Sequence, residues 1–153
     1  MRFRYDDYEP PCSEFESWLD SDARRFTGID GSFREFYEYW RDDPDSKPGE
    51  NYFCKLISEG GEKVAVAAFG LWDSKLTVME VIVAPEKRGI GIGSAVLSEL
   101  IGSADAICGI SFDCAEACIF PDNTASKKAF TKAGFTLGRI SSDGDAEYYV
   151  LGK

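Results

Sequence analysis

The sequence predicts one domain, residues 1–153, of the mixed α/β class. Three observations lead there. The N-terminal third places apolar residues at helical spacing behind two capping-box patterns. The middle and the end hold short strand-like runs separated by tight-turn residues. A glycine-rich loop joins one of those runs to an amphipathic helix. A chain of 153 residues that is 44% hydrophobic is long enough for one full core, and nothing in it marks a second.

A short first strand is possible at residues 2–5. Ser13-x-x-Glu16 and Ser32-x-x-Glu35 each set a cap hydroxyl three residues ahead of a carboxylate, the pattern that opens a helix. The first supports Phe15, Trp18, Leu19 and Phe26, and the second Phe33, Phe36, Tyr37 and Trp40. Residues 27–31 turn between them, and residues 42–51, with Pro44, Pro48 and Gly49, form a polar loop. Residues 52–57, a Glu59-Gly60-Gly61-Glu62 turn and residues 64–72 read as a hairpin; its second strand is apolar on both faces and so belongs centrally in a sheet. Asp73-Ser74-Lys75 turns into a strand over residues 76–84.

After the glycine loop, Ile92, Ala95, Val96 and Leu100, widened by Leu97 and Ile101, describe one amphipathic helix. Residues 102–113 are ambiguous. A strand over residues 114–120 follows, then a helix over residues 124–133 ended by Gly134 as its C′ residue. Residues 135–140, a Ser142-Asp143-Gly144-Asp145 turn and residues 146–151 close as a hairpin.

Composition narrows the function. No apolar run approaches the roughly twenty residues of a membrane span, and Met1-Arg2-Phe3-Arg4 leads into Asp6-Asp7 rather than a signal-peptide core. A cytoplasmic protein with no membrane partner is expected. The formal charge is −10 and uneven: residues 1–50 hold seven basic and fourteen acidic side chains, net −7, which argues against nucleic acid as a partner. Five cysteines without a C-x-x-C pair read as reduced, and with no histidine the usual zinc ligand sets cannot be assembled, so no metal is expected. Cys114 and Cys118 are expected on one strand face as small buried side chains.

The chemistry concentrates in Arg88-Gly89-Ile90-Gly91-Ile92-Gly93-Ser94, directly after the apolar run Val81-Ile82-Val83-Ala84. A glycine-rich turn between strand and helix leaves backbone N–H groups unpaired at the positive end of a helix dipole, a seat for phosphate oxygens. A dinucleotide fold requires G-x-G-x-x-G, but here the glycines alternate and Ser94 stands where the third would be; a P-loop requires Gly-Lys-Ser/Thr, which the chain lacks.

Arg88-x-x-Gly91-x-Gly93, followed by Asn123-x-x-Ser126-x-x-x-Phe130-x-x-x-Gly134-Phe135, resembles the GNAT family of N-acetyltransferases over residues 76–151. The resemblance implies a mixed, mostly antiparallel sheet flanked by helices and splayed open at an acetyl-CoA site. It implies that Val81, Ile82 and Val83 offer backbone groups, Val81 and Val83 foremost, to the pantetheine arm. Arg88, Gly89, Ile90, Gly91, Ile92, Gly93 and Ser94 would seat the pyrophosphate. Asn123 and Ser126 would face the cofactor, although an Asn before helix-compatible residues is also an ordinary N-cap.

Acetyl transfer to an amine needs a proton acceptor. Period-two alternation puts Glu80 among Leu76, Val78, Ile82 and Ala84 on one strand face, where desolvation would raise its pKa toward a base's working range. A solvent-facing or salt-bridged Glu80 is the competing reading. Glu116, on the face of Cys114, Cys118 and Phe120, is the second candidate. Many family members carry a tyrosine at the position of Phe130, whose hydroxyl is thought to protonate the leaving thiolate, and phenylalanine cannot donate a proton. Water, another hydroxyl such as Tyr148, Tyr149 or a serine, or binding without fast turnover are the three readings, and water is favoured; Phe130 can still pack against the pantetheine.

In the resembled fold the two N-terminal helices and the final hairpin wall the acceptor cleft. Core packing is the plainer reading of Phe33, Phe36, Tyr37 and Trp40, and solubility that of Asp42, Asp43, Asp45 and Glu50. The expected activity is transfer of an acetyl group from acetyl-CoA to a primary amine, a small cationic molecule on the acidic balance. The alternatives are a non-catalytic acyl-CoA-binding or sensing module, or a protein N-terminal or lysine acetyltransferase. A homodimer is possible.

Overall fold

The computed structural model describes residues 1–10 and 16–152. Its strands are β1 (Arg4–Asp7), β2 (Tyr52–Glu59), β3 (Glu62–Trp72), β4 (Lys75–Val83), β5 (Cys114–Ile119), β6 (Thr136–Ile140) and β7 (Glu147–Gly152). Its helices are α1 (Ser21–Thr27), α2 (Phe33–Arg41), α3 (Ile92–Gly102), α4 (Ala104–Cys108) and α5 (Thr124–Lys132). The strands form one seven-stranded sheet in the order β1-β2-β3-β4-β5-β7-β6. Every pairing is antiparallel except that of β4 with β5. This is the mixed, mostly antiparallel sheet that the resemblance implies, with β3, apolar over residues 64–72, as an interior strand between β2 and β4.

Each face of the sheet buries its own core. On one side α3 and α5 cover Phe69, Leu76, Val96, Leu100, Phe130 and Phe135. On the other, Tyr8, Trp18, Leu19, Phe33, Tyr52, Val66 and Ile82 pack together, with Phe36, Tyr37 and Trp40 of α2 leaning on them. Those α2 aromatics are therefore core and near-core side chains.

The start of the chain differs from expectation. Ser13 and Phe15 lie outside the described residues. Glu16–Trp18 is a single 3-10 turn, and α1 begins only at Ser21, with Asp20 as its cap accepting from Ala23 N–H at 3.0 Å. Glu16 instead accepts from the N–H groups of Phe33 at 2.8 Å and Arg34 at 3.1 Å, completing the N-terminus of α2 alongside Ser32, which accepts from Glu35 N–H. A carboxylate at a helix N-terminus is favoured wherever in the chain it comes from. The ambiguous stretch contains the short α4, and the first strand runs to Asp7.

Two further expectations are corrected by register. In the β3–β4 ladder Ala68 faces Glu80 and Phe69 faces Val78, so Met79 is an extra residue, a bulge. The bulge reverses the parity of β4: Leu76 and Val78 enter the core beneath α3, while Ile82 and Ala84 enter the opposite core. The single face predicted for residues 76–84 does not exist, and Glu80 shares its side with Ile82 and Ala84. Cys114 and Cys118 do share a face, but Ala115, Ala117 and Ile119 take the core side of β5, leaving Cys114 half-buried and Cys118 exposed.

Replacing Glu16 by Ala removes both acceptors at the head of α2 and should destabilise the fold by about 1–2 kcal/mol, the range for losing a helix cap. Thermal unfolding checks this. A variant melting with the wild type would show that Ser32 alone suffices.

Candidate active site

The central cleft exists because two parallel strands stop pairing. β4 and β5 are joined only over Lys75–Val78 against Cys114–Ala117, and beyond that register they diverge. The gap opens into a cleft of about 890 Å³ walled by residues 78–83 of β4, the glycine loop, the end of β5, one side of α5 and one side of α1.

Ala84 donates its N–H to Val64 of β3 at 2.9 Å. By antiparallel alternation Ile82 and Glu80 also turn their backbone groups to β3, and Val81 and Val83 turn theirs into the gap. The Val83 carbonyl is taken by Arg88 Nε at 3.1 Å. The Val81 amide and the Val83 N–H therefore stand at an unpaired sheet edge. Ile82, although it borders the cleft, is anchored in the core by its side chain.

The glycine loop sits at one end. Gly89 (φ 78°) and Gly91 (φ 86°) adopt left-handed backbone that only glycine takes without strain, and Gly91 is the N-cap of α3. Ala95 is the first residue of α3 with a bonded N–H, to Gly91 at 3.0 Å. The N–H groups of Ile92, Gly93 and Ser94 have no partner among the described residues. The buried Ser94 hydroxyl likewise has none. Unpaired donors at the positive end of an eleven-residue helix are what an anion such as a phosphate requires. Lys87, Lys128 and Lys132 border the same cleft. Lys87 is paired with Glu62 at 3.2 Å, whereas Lys128 and Lys132 carry no ion pair among the described residues.

Other expected site residues are placed as follows. Arg88 borders the cleft, but its guanidinium is engaged by Val83, Asp20 and Trp18. Ile90 is exposed at the loop tip and does not line the cleft. Asn123 caps α5, accepting from Ser126 N–H at 3.2 Å and donating to the Ser126 hydroxyl at 2.9 Å, and both residues line the cleft. Phe130 is buried at its wall, edge-on to Phe135 with centroids 5.0 Å apart. Glu116 lies outside the cleft, 3.7 Å from Lys75. Tyr148 and Tyr149 do not line it, and Tyr149 donates to Glu147 at 3.2 Å.

Glu80 lines the cleft opposite α1 and has no hydrogen-bond or ionic partner among the described residues. Burial with no compensating cation pushes its carboxyl well above the usual carboxylate range. Of the segments expected to wall the acceptor end, only α1 does so, through Asp22, Ala23, Phe26 and Thr27. The acidic residues of α2 and the loop after it, Glu35, Glu38, Asp42 and Asp43, surround a separate shallow depression. Sequence reasoning passed over Asp22, Lys128 and Lys132. The i, i+4 spacing of the two lysines on the helix capped by Asn123 was the available signal.

The family model described as the acetyltransferase (GNAT) family matches residues 11–135. No curated protein matches the chain at a significant level. Solved structures share its fold. The N-acetyltransferase PseH of Campylobacter jejuni, in complex with acetyl coenzyme A, is 18% identical over 99% of this chain and 99% of that one, with a TM-score of 0.68. Spermidine N-acetyltransferase from Vibrio cholerae, in complex with CoA and spermine, is 11% identical over 99% and 95%, with a TM-score of 0.76. The aminoglycoside acetyltransferase AAC(6')-Ib, in complex with coenzyme A, is 17% identical over 99% and 94%, with a TM-score of 0.73.

The raised Glu80 pKa has a signed consequence for stability. A carboxyl that binds its proton more tightly folded than unfolded stabilises the fold below the unfolded pKa, and that stability is lost as pH rises through the folded pKa. Glu80→Gln should therefore melt above the wild type at neutral pH, with the difference vanishing near pH 4. Melting curves at the two pH values decide it, and a variant less stable at neutral pH would show that Glu80 has a stabilising partner.

Proposed function

The chain belongs to the acetyltransferase (GNAT) family, and from that premise we propose that it transfers the acetyl group of acetyl-CoA to a primary amine on a small cationic molecule. The observation that carries this reading is one cleft with an anion seat at the head of α3 and a desolvated carboxyl facing α1. Acetyl-CoA supplies an acyl carbon already activated as a thioester. The unpaired N–H groups of Ile92, Gly93 and Ser94, with the Ser94 hydroxyl, fit its pyrophosphate, and the free edge at Val81 and Val83 fits its amide-bearing arm.

An amine attacks only when neutral. Glu80, its proton affinity raised by burial, is suited to accept the amine's proton near neutral pH. Phe130 provides no acid, neither Tyr148 nor Tyr149 reaches the cleft, and of the groups left, the hydroxyls of Ser94 and Ser126 and solvent, we take solvent as the proton source on the leaving side.

Asp22, joined by Glu80 when it is ionised, puts negative charge at the acceptor end, away from the lysines on the phosphate side, and a region of one charge sign concentrates oppositely charged ligands. Two relatives of the same fold act on cationic amines, spermidine and aminoglycosides. Phe130 favours one second reading, an acyl-CoA-binding module without fast turnover. Thiol release from acetyl-CoA against an amine library, with peptide N-termini included, separates the two.

Coenzyme A should bind the wild type and raise its melting temperature. Gly91→Asp should abolish the effect, because it forces a side chain into left-handed backbone and sets a negative charge in the anion seat. An unchanged affinity in that variant would remove the basis of the reading.

Glu80→Gln should lower kcat/KM by roughly 10² to 10⁴, the range for losing a general base. The rise of activity with pH through the Glu80 pKa should disappear with it. Activity within about threefold of wild type would assign base work to water.

For a true cationic acceptor, KM should increase with added salt, since attraction across the cleft is screened over a Debye length of about 8 Å at physiological ionic strength. Turnover confined to neutral or anionic amines would overturn the acceptor class.

A further inference from the structure

Arg88 occupies a position from which a cation could address a bound phosphate, yet its fork is directed elsewhere. Nε donates to the Val83 carbonyl at 3.1 Å, Nη1 to Asp20 Oδ2 at 2.8 Å and Nη2 to the Trp18 carbonyl at 3.0 Å. The other oxygen of Asp20 accepts from Ala23 N–H at 3.0 Å as the N-cap of α1. One carboxylate thus joins the guanidinium at the edge of the glycine loop to the first turn of α1. The Ala23 amide and then Arg88 hold the Asp20 carboxyl below the usual carboxylate range, so the link stays charged at neutral pH.

α1 needs such a link. None of its seven residues is fully buried, and the half-buried Ala23 is its one side chain packed against the core, so apolar packing alone holds it weakly. Asp22, Ala23, Phe26 and Thr27 nevertheless wall the cleft. Its far half is tied across the opening by Arg25 to Asp122 at 2.6 Å, one residue before the cap of α5. The helix is a strap laid from the β4 side of the cleft to the β5 side and held by polar ties at both ends.

We propose that Arg88 is a positioning residue: through Asp20 it fixes α1 over the acceptor end of the cleft, setting Asp22 and Phe26 opposite Glu80, and it does not bind phosphate. The anion seat is then made of backbone N–H groups and Ser94. The three acceptors lie in different directions, which a guanidinium fork can reach together and an ammonium on a flexible stem cannot. The term acceptor rests on the acetyl-transfer reading; the placement of α1 does not.

Asp20→Asn separates the two jobs of that carboxylate, since asparagine remains a good cap but carries no charge for Arg88. Hydrogen exchange of residues 21–28 in the full chain is the first readout. Because the Asp20–Arg88 pair is about a third exposed, the expected acceleration is modest, about three- to tenfold, with α3 unaffected. Coenzyme A affinity by calorimetry is the second, expected to stay within about threefold of wild type in Asp20→Asn and in Arg88→Ala. With spermidine as the probe amine, KM for the amine should increase while KM for acetyl-CoA stays level. Unchanged exchange in Asp20→Asn would show that the carboxylate only caps α1 and would overturn the proposal. A loss of coenzyme A affinity beyond about tenfold in folded Arg88→Ala would make Arg88 a phosphate ligand and overturn it equally. Should Arg88→Ala not fold, Asp20→Asn decides alone, and should no amine turn over, the acetyl-transfer reading falls while exchange and affinity still decide this one.

Discussion

The site depends on one interruption of hydrogen bonding, the parting of β4 from β5 beyond Val78 and Ala117. A parallel pair that continued would satisfy its own backbone and leave no room between the strands. The divergence instead exposes the edge at Val81 and Val83 and admits solvent to a position that would otherwise be core. A sheet tolerates this only if each side of the gap is held independently. Here β4 is held by β3 across a long antiparallel ladder, and β5 by β7 along its whole length. The Met79 bulge belongs to the same device. By reversing parity just where the strands part, it sends Val78 into the core under α3 and turns Glu80 toward α1.

The charges around the opening are arranged against folding stability. At the α3 end several N–H donors and a buried hydroxyl stand without protein partners among the described residues, and the Ser94 hydroxyl carries a desolvation cost that a bound anion would offset. At the other end Glu80 holds its proton more tightly than an exposed carboxyl, so ionising it opposes the fold. The segment covering that end, α1, buries no residue fully, touches the core through Ala23 and is otherwise attached by charged and polar contacts. Pre-organised polar groups of this kind stabilise what binds them at the expense of the empty protein.

What could be read from the sequence was local. The alternating glycines before Ile92, the Ser32 cap, the turn at Gly60-Gly61 and the Asn123 cap each state their geometry within a few residues, and all are found as read. What escaped was set by partners far away in the chain. Glu16 looks like the end of a capping box with Ser13, but it completes α2, seventeen residues on, because a loop brings it there. The motif around Arg88 carries no sign of its partners Trp18 and Asp20, which are 70 and 68 residues distant. Alternation was extended through β4 because a bulge of one residue leaves no mark in composition. The exposure of Cys118 followed from the same limit: which face of β5 meets the core depends on what α3 and α5 cover.

Phe130 shows how a missing group can be consistent with the proposed chemistry. Its ring is buried against Phe135 and belongs to the core that α5 lays on the sheet, so the position contributes packing whether or not it carries a hydroxyl. An acid is needed at such a position when the leaving group is too basic to depart unaided or when water is excluded. Neither condition applies. A coenzyme A thiolate is a tolerable leaving group in water, and the cleft walls include the exposed Cys118 and Lys128, so solvent reaches the gap between β5 and α5. For the proposed amine acceptor the base has no such substitute so readily to hand, because an ammonium must lose its proton before it can attack, and Glu80 is the carboxyl with a raised proton affinity that lines the cleft. In the proposed reaction, the asymmetry between an acid left to water and a base supplied by the fold would follow from where the sheet opens and where it bulges.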